Sequence, residues 1–221
     1  MTNPTGLTQT SEPVTVPTPH GVFLMQAFGF ADGSEHLALT ALPTEGQPQS
    51  RSQANQAPLV RIHSECATGD IFSSYRCDCG PQLEQALEMM AEQGGVLIYM
   101  RNHEGRGIGL VNKLRAYALQ DAGRDTVDAN LDLGLPVDSR SFAAVPGILE
   151  HLGVRAVRLL THNPEKAHAL VGGGIEVAGS VDLDIHPTPE NLTYLTTKRD
   201  RLGHHLLDLP SLPTTTEGES A

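Results

Sequence analysis

Residues 58–83 read PLVRIHSECATGDIFSSYRCDCGPQL and contain every cysteine of the chain. PLVRIHSE has the apolar, β-branched character of a strand. Beyond the cysteines, Pro81-Gln82 opens a helix in which Leu83, Leu87, Met90 and Ala91 recur at helical spacing. Proline suits a first turn, where its missing N–H has no intrahelical partner to lose. A strand leading through a polar loop into a helix is the start of an α/β unit. The loop is where chemistry is expected. Ten residues separate Cys66 from Cys77, and one separates Cys77 from Cys79.

Three cysteines crowded into one loop of an otherwise cysteine-free chain indicate a metal site. Zinc accepts thiolates, and three protein ligands with an open fourth position make the catalytic arrangement, whereas structural sites close with four. Two other readings use the same residues. The thiols can be buried and structural, since free cysteine is among the most buried residue types. Alternatively His63, three residues before Cys66, can close a Cys3His staple.

Of 221 residues, 39% are hydrophobic and 4% aromatic, with no tryptophan, so aliphatic packing must supply the core. The net charge of -11 argues against a sequence-independent nucleic-acid binder, which needs clustered positive charge to displace counterions. No stretch approaches the ~20 apolar residues of a membrane span, and the first residues lack the basic and apolar regions of a signal peptide. A cytoplasmic protein with no membrane or nucleic-acid partner is expected. There an odd number of cysteines fits metal binding better than disulfides.

Composition assigns residues 1–16 to a disordered N-terminal tail and 208–221 to a C-terminal one. GVFLMQAF and HLALTAL, separated by Ala31-Asp32-Gly33-Ser34, read as a hairpin, and the polar run 44–57 as a loop. VLIYM at 96–100 reads as a buried strand. A helix over 110–122 places Leu110, Leu114 and Ala118 on one face, 125–140 reads as a loop, and Pro146-Gly147 delays the next helix. AVRLL, a turn, EKAHALV and IEVAG form a β-α-β unit, and residues 191–206 are the last ordered stretch. The expectation is an α/β three-layer sandwich with a mixed β-sheet and a single catalytic domain.

Three further segments carry candidate ligand groups. Glu104-Gly105-Arg106-Gly107-Ile108-Gly109 lies between a strand and a helix, where glycines let backbone amides approach an anion. Arg101, Lys113 and Arg115 are close in sequence and support a phosphate there. Asp138-Ser139-Arg140 sets a carboxylate two residues from a guanidinium, and Thr161 to Lys166 feeds from a strand end into a helix, a usual ligand position in open α/β sheets.

RIHSECATGDIFSSYRCDCGPQLE, EGRGIGLVNKLRAYALQDAGRDTVDAN and LGVRAVRLLTHNPEKAHAL together resemble GTP cyclohydrolase II of riboflavin biosynthesis. The resemblance implies a catalytic domain over 17–207 and a zinc- and magnesium-dependent hydrolysis of GTP by a homodimer. The products it implies are 2,5-diamino-6-(5-phospho-D-ribosylamino)pyrimidin-4(3H)-one, formate and pyrophosphate. It also implies that Cys66, Cys77 and Cys79 hold one catalytic Zn2+ per subunit, while Mg2+ accompanies the GTP phosphates. By the same resemblance, GTP contacts fall on Arg61, Ile62, His63, Ser64, Glu65, Gln82, Glu104, Gly105, Arg106, Thr126, Thr161 and Lys166. Asp138 matches the proton acceptor, Arg140 the nucleophile, and Tyr117 a tyrosine that positions the attacking water. The chain departs from the commoner family pattern at Arg101-Asn102-His103-Glu104, at His162 and at Pro146-Gly147.

That chemistry requires hydroxide at C8 of guanine, a poor electrophile, and zinc lowers the pKa of its water to ~7. Three thiolates on Zn2+ leave a formal charge of -1, for which Arg76 or contacts from the substrate are the expected compensation.

Overall fold

A computed structural model describes residues 6–42, 56–161, 163–183, 187–202 and Leu209. Its centre is an eight-stranded mixed sheet. The expected hairpin pairs β3 (Gly21–Phe30) with β4 (Glu35–Ala41) in antiparallel register, Phe23 opposite Ala41 and Gly29 opposite Glu35. Strand β4 continues antiparallel onto β6 (Gly95–Met100). From there the sheet is parallel: β6 pairs β5 (Leu59–Ser64), β5 pairs β7 (Ala156–Leu160), and β7 pairs β8 (Glu176–Val181).

The expected N-terminal tail is corrected at residues 7–10 and 14–16, while residues 1–5 lie outside the described residues. Leu7–Thr10 forms β1 and Val14–Thr18 forms β2, both antiparallel to β3 along its outer edge. Neither strand buries much apolar surface. Their backbone bonds to β3 hold them, a long-range partner that composition does not reveal. Residue 208 and residues 210–221 of the expected C-terminal tail, and 44–55 of the expected loop, lie outside the described residues.

Alternation along the central strands separates two cores. Val60, Ile62, Val96, Ile98 and Met100 face one cluster, packed by Val145, Ile148 and Leu149 of α5 (Val145–His151) and Leu170 of α6 (Pro164–Gly172). Leu59 and Leu97 face the other, packed by Ala86 and Met90 of α2 (Cys79–Gln93). Strands buried on both faces between helices are the sandwich expected of a parallel sheet. Pro146 takes a first-turn position of α5, so that helix starts late, as its sequence suggests.

Two helical details differ from the sequence reading. Within 125–140, residues Thr126–Asp132 form α4, because the Asp125 carboxylate caps it by accepting from Val127 N and Asp128 N, each at 2.8 Å. In α3 (Leu110–Asp121), Leu110 and Leu114 are exposed, while Lys113 and Ala116 are buried. The helix is turned by the bonds of Lys113 rather than by its leucines. Helix α1 (Ala67–Asp70) sits between β5 and α2, and α7 (Leu192–Leu202) ends the described chain apart from Leu209. No described helix is long and apolar enough to cross a membrane.

Candidate active site

The chain moves from β5 to β6 on one side and then returns past β5 to β7. The crevice beyond the carboxyl ends of β5 and β7 is therefore a topological switch point, where open α/β sheets bind ligands. A cavity of about 1080 Å3, its open mouth included, lies there.

Cys66, Cys77 and Cys79 form its metal-type corner, with all three Sγ atoms within 4.8 Å of one another and Cys66 Sγ 3.7 Å from Cys77 Sγ. Two chain segments must nearly touch for this. A Cβ on Gly69 would stand 2.9 Å from Cys77 Sγ, and one on Gly80 would stand 2.6 Å from Gly69 O, so both positions require glycine. Hydrogen bonds from Cys77 and Cys79, followed by the charge of Lys113, hold the Cys66 thiol far below its ordinary pKa. Bonding to Cys66 pushes Cys77 up to about 11 and raises Cys79 as well. The three sulfurs thus share protons around one negative charge. A soft divalent cation replacing those protons fits both their spacing and their chemistry.

His63 does not join the thiols. Its Nε2 shares a 3.0 Å hydrogen bond with Asp70 Oδ1, and its ring stacks on Tyr99. Asp70 also accepts from Cys66 N at 3.0 Å and from Tyr99 Oη at 2.8 Å, which fixes the loop. The Cys3His arrangement is therefore not the one the chain adopts. The compensating cation also differs from expectation. Lys113 Nζ donates to Cys66 Sγ at 3.1 Å, Thr68 Oγ1 at 2.7 Å and Glu104 Oε1 at 2.5 Å, while Glu104 Oε2 accepts from Ala67 N at 2.6 Å. Burial opposes the Lys113 charge, but Cys66 and Glu104 outweigh it and hold the ammonium above its ordinary pKa. Arg76 instead stacks 4.3 Å over Tyr117 and pairs with Asp121 at 2.9 Å. Tyr117 Oη lies 3.5 Å from Thr68 Oγ1.

The opposite wall is cationic. Arg61, 4% exposed, donates to Leu160 O at 2.9 Å and Gln82 Oε1 at 2.5 Å, while its Nε finds no partner among the described residues. Burial lowers its pKa to about 10. Lys166 donates to Ile62 O at 2.7 Å. Burial, then the charges of Arg61, Arg140 and Lys198, hold its ammonium well below its ordinary pKa. Cations crowded in this way at low dielectric disfavour one another's charge.

At the third wall, Glu104–Gly107 is a single helical turn broken by left-handed Gly105 (φ 58°) and Arg106 (φ 66°). This geometry aims Arg106 at Asp138, 3.8 Å away, and its carbonyl accepts from Ser139 N at 3.0 Å. Asp138 grips Arg140 through Nε at 2.9 Å and NH2 at 2.5 Å. Burial raises the Asp138 pKa, but Arg140 outweighs it and holds the carboxyl below the usual range. Arg140 NH1 reaches Ser64 Oγ at 3.4 Å, which lies 3.2 Å from His103 Nδ1.

Of the residues singled out in the sequence, Ile62, Glu104 and Asp138 do not line the cavity. Ile62 packs in the core, Glu104 lies behind Lys113, and Asp138 lies behind Arg140. The other candidate metal, catalytic and GTP-contact residues line it, with Thr126 coming from α4 and Thr161 from the end of β7. Arg101 and Arg115 are elsewhere: Arg101 pairs with Glu35 at 2.9 Å, and Arg115 bonds Asn112 on the exposed face of α3. Asp70, Asp78, His103, Tyr194 and Lys198 were missed. Only Asp78, set between two cysteines, carried a sequence signal.

Fold and site together define a mixed-sheet α/β domain in which a trithiol metal-type cluster opens into a cavity with a cationic wall. Residues 9–182 match the family described as GTP cyclohydrolase II, and the chain belongs to that family. It is 55% identical over 195 residues to the riboflavin biosynthesis protein RibBA of Salinispora arenicola, covering 86% of this chain and 44% of that protein. The RibBA proteins of Rhodococcus jostii and Mycobacterium tuberculosis are each 52% identical, over 88% of this chain and 46% and 45% of theirs. The chain spans about half the length of the curated relatives it matches. Among solved structures, RibBX from A. baumannii, a two-domain 3,4-dihydroxy-2-butanone 4-phosphate synthase, aligns over 78% of this chain and 40% of its own. Its TM-score of 0.41 and 19% identity are too loose a likeness to inform the site.

Proposed function

We propose that the chain hydrolyses GTP to 2,5-diamino-6-(5-phospho-D-ribosylamino)pyrimidin-4(3H)-one, formate and pyrophosphate, within riboflavin biosynthesis. The observation that carries this reading is that the thiol cluster, the buried cations Arg61 and Lys166 and the partly buried Arg106 and Arg140 open into one cavity. A binder of nucleotide alone has no use for a three-thiol corner beside the ligand. The family match and the RibBA relatives support the same substrate.

Cys66, Cys77 and Cys79 would hold Zn2+, which when bound supplies an acidified water and a Lewis acid for hydrolysis at C8. Lys113 offsets the thiolate charge, and Tyr117 beside Thr68 orients the attacking water. Arg61 Nε and His63 Nδ1 are buried donor or acceptor atoms without partners among the described residues. Unmet groups at such depth cost ~1–3 kcal/mol, which a bound nucleotide relieves. Arg61, Lys166 and Arg106 take the phosphates together with Mg2+, and Thr126 and Thr161 border the same space.

For Arg140 the geometry supports a clamp on the α-phosphate rather than a nucleophile. Two of its nitrogens already donate to Asp138, which keeps the guanidinium oriented. Water is then the nucleophile at phosphorus, and pyrophosphate leaves against the positive wall. The exposed apolar residues Ile71, Phe72, Leu110, Val111 and Leu114 support a homodimer that covers α3 and the neighbouring loop. Quantifying formate released from GTP by the zinc-loaded chain tests the reading, and GTP binding without formate defeats it.

A further inference from the structure

Helix α7 begins ten residues beyond the stretch that matches the family, yet its Tyr194 and Lys198 line the cavity. Lys198 Nζ donates to Asp78 Oδ1 at 2.6 Å, and both side chains are buried. The Tyr194 ring covers the ammonium from 4.4 Å. Asp78 is the residue between Cys77 and Cys79, so this pair joins α7 to the metal-type loop. The connection continues into the substrate wall. Asp78 Oδ2 accepts from Gln82 Nε2 at 2.5 Å, and Gln82 Oε1 accepts from Arg61 at 2.5 Å. A second anchor lies three residues on, where Arg201 pairs with Asp125 and, at 3.0 Å, with Asp128. Asp125 caps α4, whose first residue, Thr126, lines the same cavity.

We propose that Lys198 is a positioning residue for the substrate: through Asp78 and Gln82 it sets the Arg61 guanidinium, with α7 as the strap holding two walls of the pocket. The inference rests on the GTP reading above. Its physical basis is the asymmetry of a buried ion pair, in which removing one partner strands the other charge. Without Lys198, Asp78 is an unpaired carboxylate beside two thiols and turns away toward water. Gln82 then loses its acceptor, and Arg61 loses the neighbour that fixes its plane.

The test uses the full zinc-loaded chain and four variants. Lys198→Met should raise KM for GTP about tenfold while kcat changes much less, because the loss falls on uniform binding. Deuterium exchange over residues 76–83 should accelerate in the same variant without nucleotide. Asp78→Asn combined with Lys198→Met strands no charge and keeps an acceptor for Gln82, so KM should return close to wild type. Arg199→Gln, at an exposed pair on the same helix, should change neither readout. If Lys198→Met fails to fold, Lys198→Arg takes its place, and an intermediate rise in KM is expected. An unchanged KM in the Lys198 single variant that folds, or a double variant as impaired as Lys198→Met, overturns the inference. A wild-type chain that releases no formate overturns the GTP reading instead, and deuterium exchange still reports whether Lys198 fixes the loop.

Discussion

Lys113 Nζ lies 3.1 Å from Cys66 Sγ, and Glu104 holds the same ammonium at 2.5 Å. A thiolate cluster that also binds a cation carries excess negative charge, and Lys113 is the cation placed to offset it. Lys113→Met should therefore weaken zinc binding about tenfold, the effect of losing one charge-assisted hydrogen bond. Competition with a chromophoric chelator measures this. Unaltered zinc affinity in a folded variant would show that the lysine serves only Glu104.

His103 should make the fold acid-sensitive. Burial first, then the charges of Arg140, His36 and Lys166, lowers its pKa from 6.5 to about 4. Above 6.5 the imidazole is neutral in both folded and unfolded chains. Between 6.5 and 4 only the unfolded chain takes the proton, so acidification favours unfolding, by roughly 3 kcal/mol once pH 4 is passed. His63, also lowered by burial, adds with the same sign. Denaturant unfolding from pH 7 to 4 should lose that slope in part in His103→Gln, and a variant with the wild-type slope would refute the assignment.

Arg140→Lys should slow pyrophosphate release by ~100-fold or more, since a lysine cannot reproduce the two-point contact with Asp138 that aims the charge. Mass spectrometry of enzyme quenched during turnover should find no nucleotide attached to Arg140. A guanylyl adduct on that residue would replace the clamp with covalent catalysis.

Val111, 66% exposed beside Leu110 and Leu114, is the central apolar residue of the α3 face. Sedimentation of the wild-type chain should give twice the 23.6 kDa of one chain, and Val111→Glu should give one. A monomeric wild type, or a dimeric variant, would contradict the use of this face.

The elements legible in the sequence were those whose signal is local. The β3–β4 hairpin declared itself by two apolar runs around the turn at Asp32-Gly33, α2 by Leu83, Leu87 and Met90, and the metal-type corner by three cysteines within 14 residues. What escaped depends on partners far along the chain. Strands β1 and β2 exist because β3 offers them an edge. Lys113 looked like one of several phosphate cations, yet α3 turns it toward Cys66, 47 residues away, and leaves the leucines outside. Lys198 reaches Asp78 across 120 residues, a pairing with no local pattern. Helix α4 was missed for a different reason. Its cap is Asp125, but the short polar segment after it buries only Val127, Ala129 and Asn130, too little apolar surface to show a period.

The central claim is that a three-thiol metal corner and the cationic wall act on one nucleotide. Supplying GTP, Mg2+ and Zn2+ to the purified chain and quantifying formate and pyrophosphate together tests it most directly. Equal amounts of both should appear, and substituting Cys77 should abolish the formate. Pyrophosphate without formate, or GTP bound and returned intact, would contradict it.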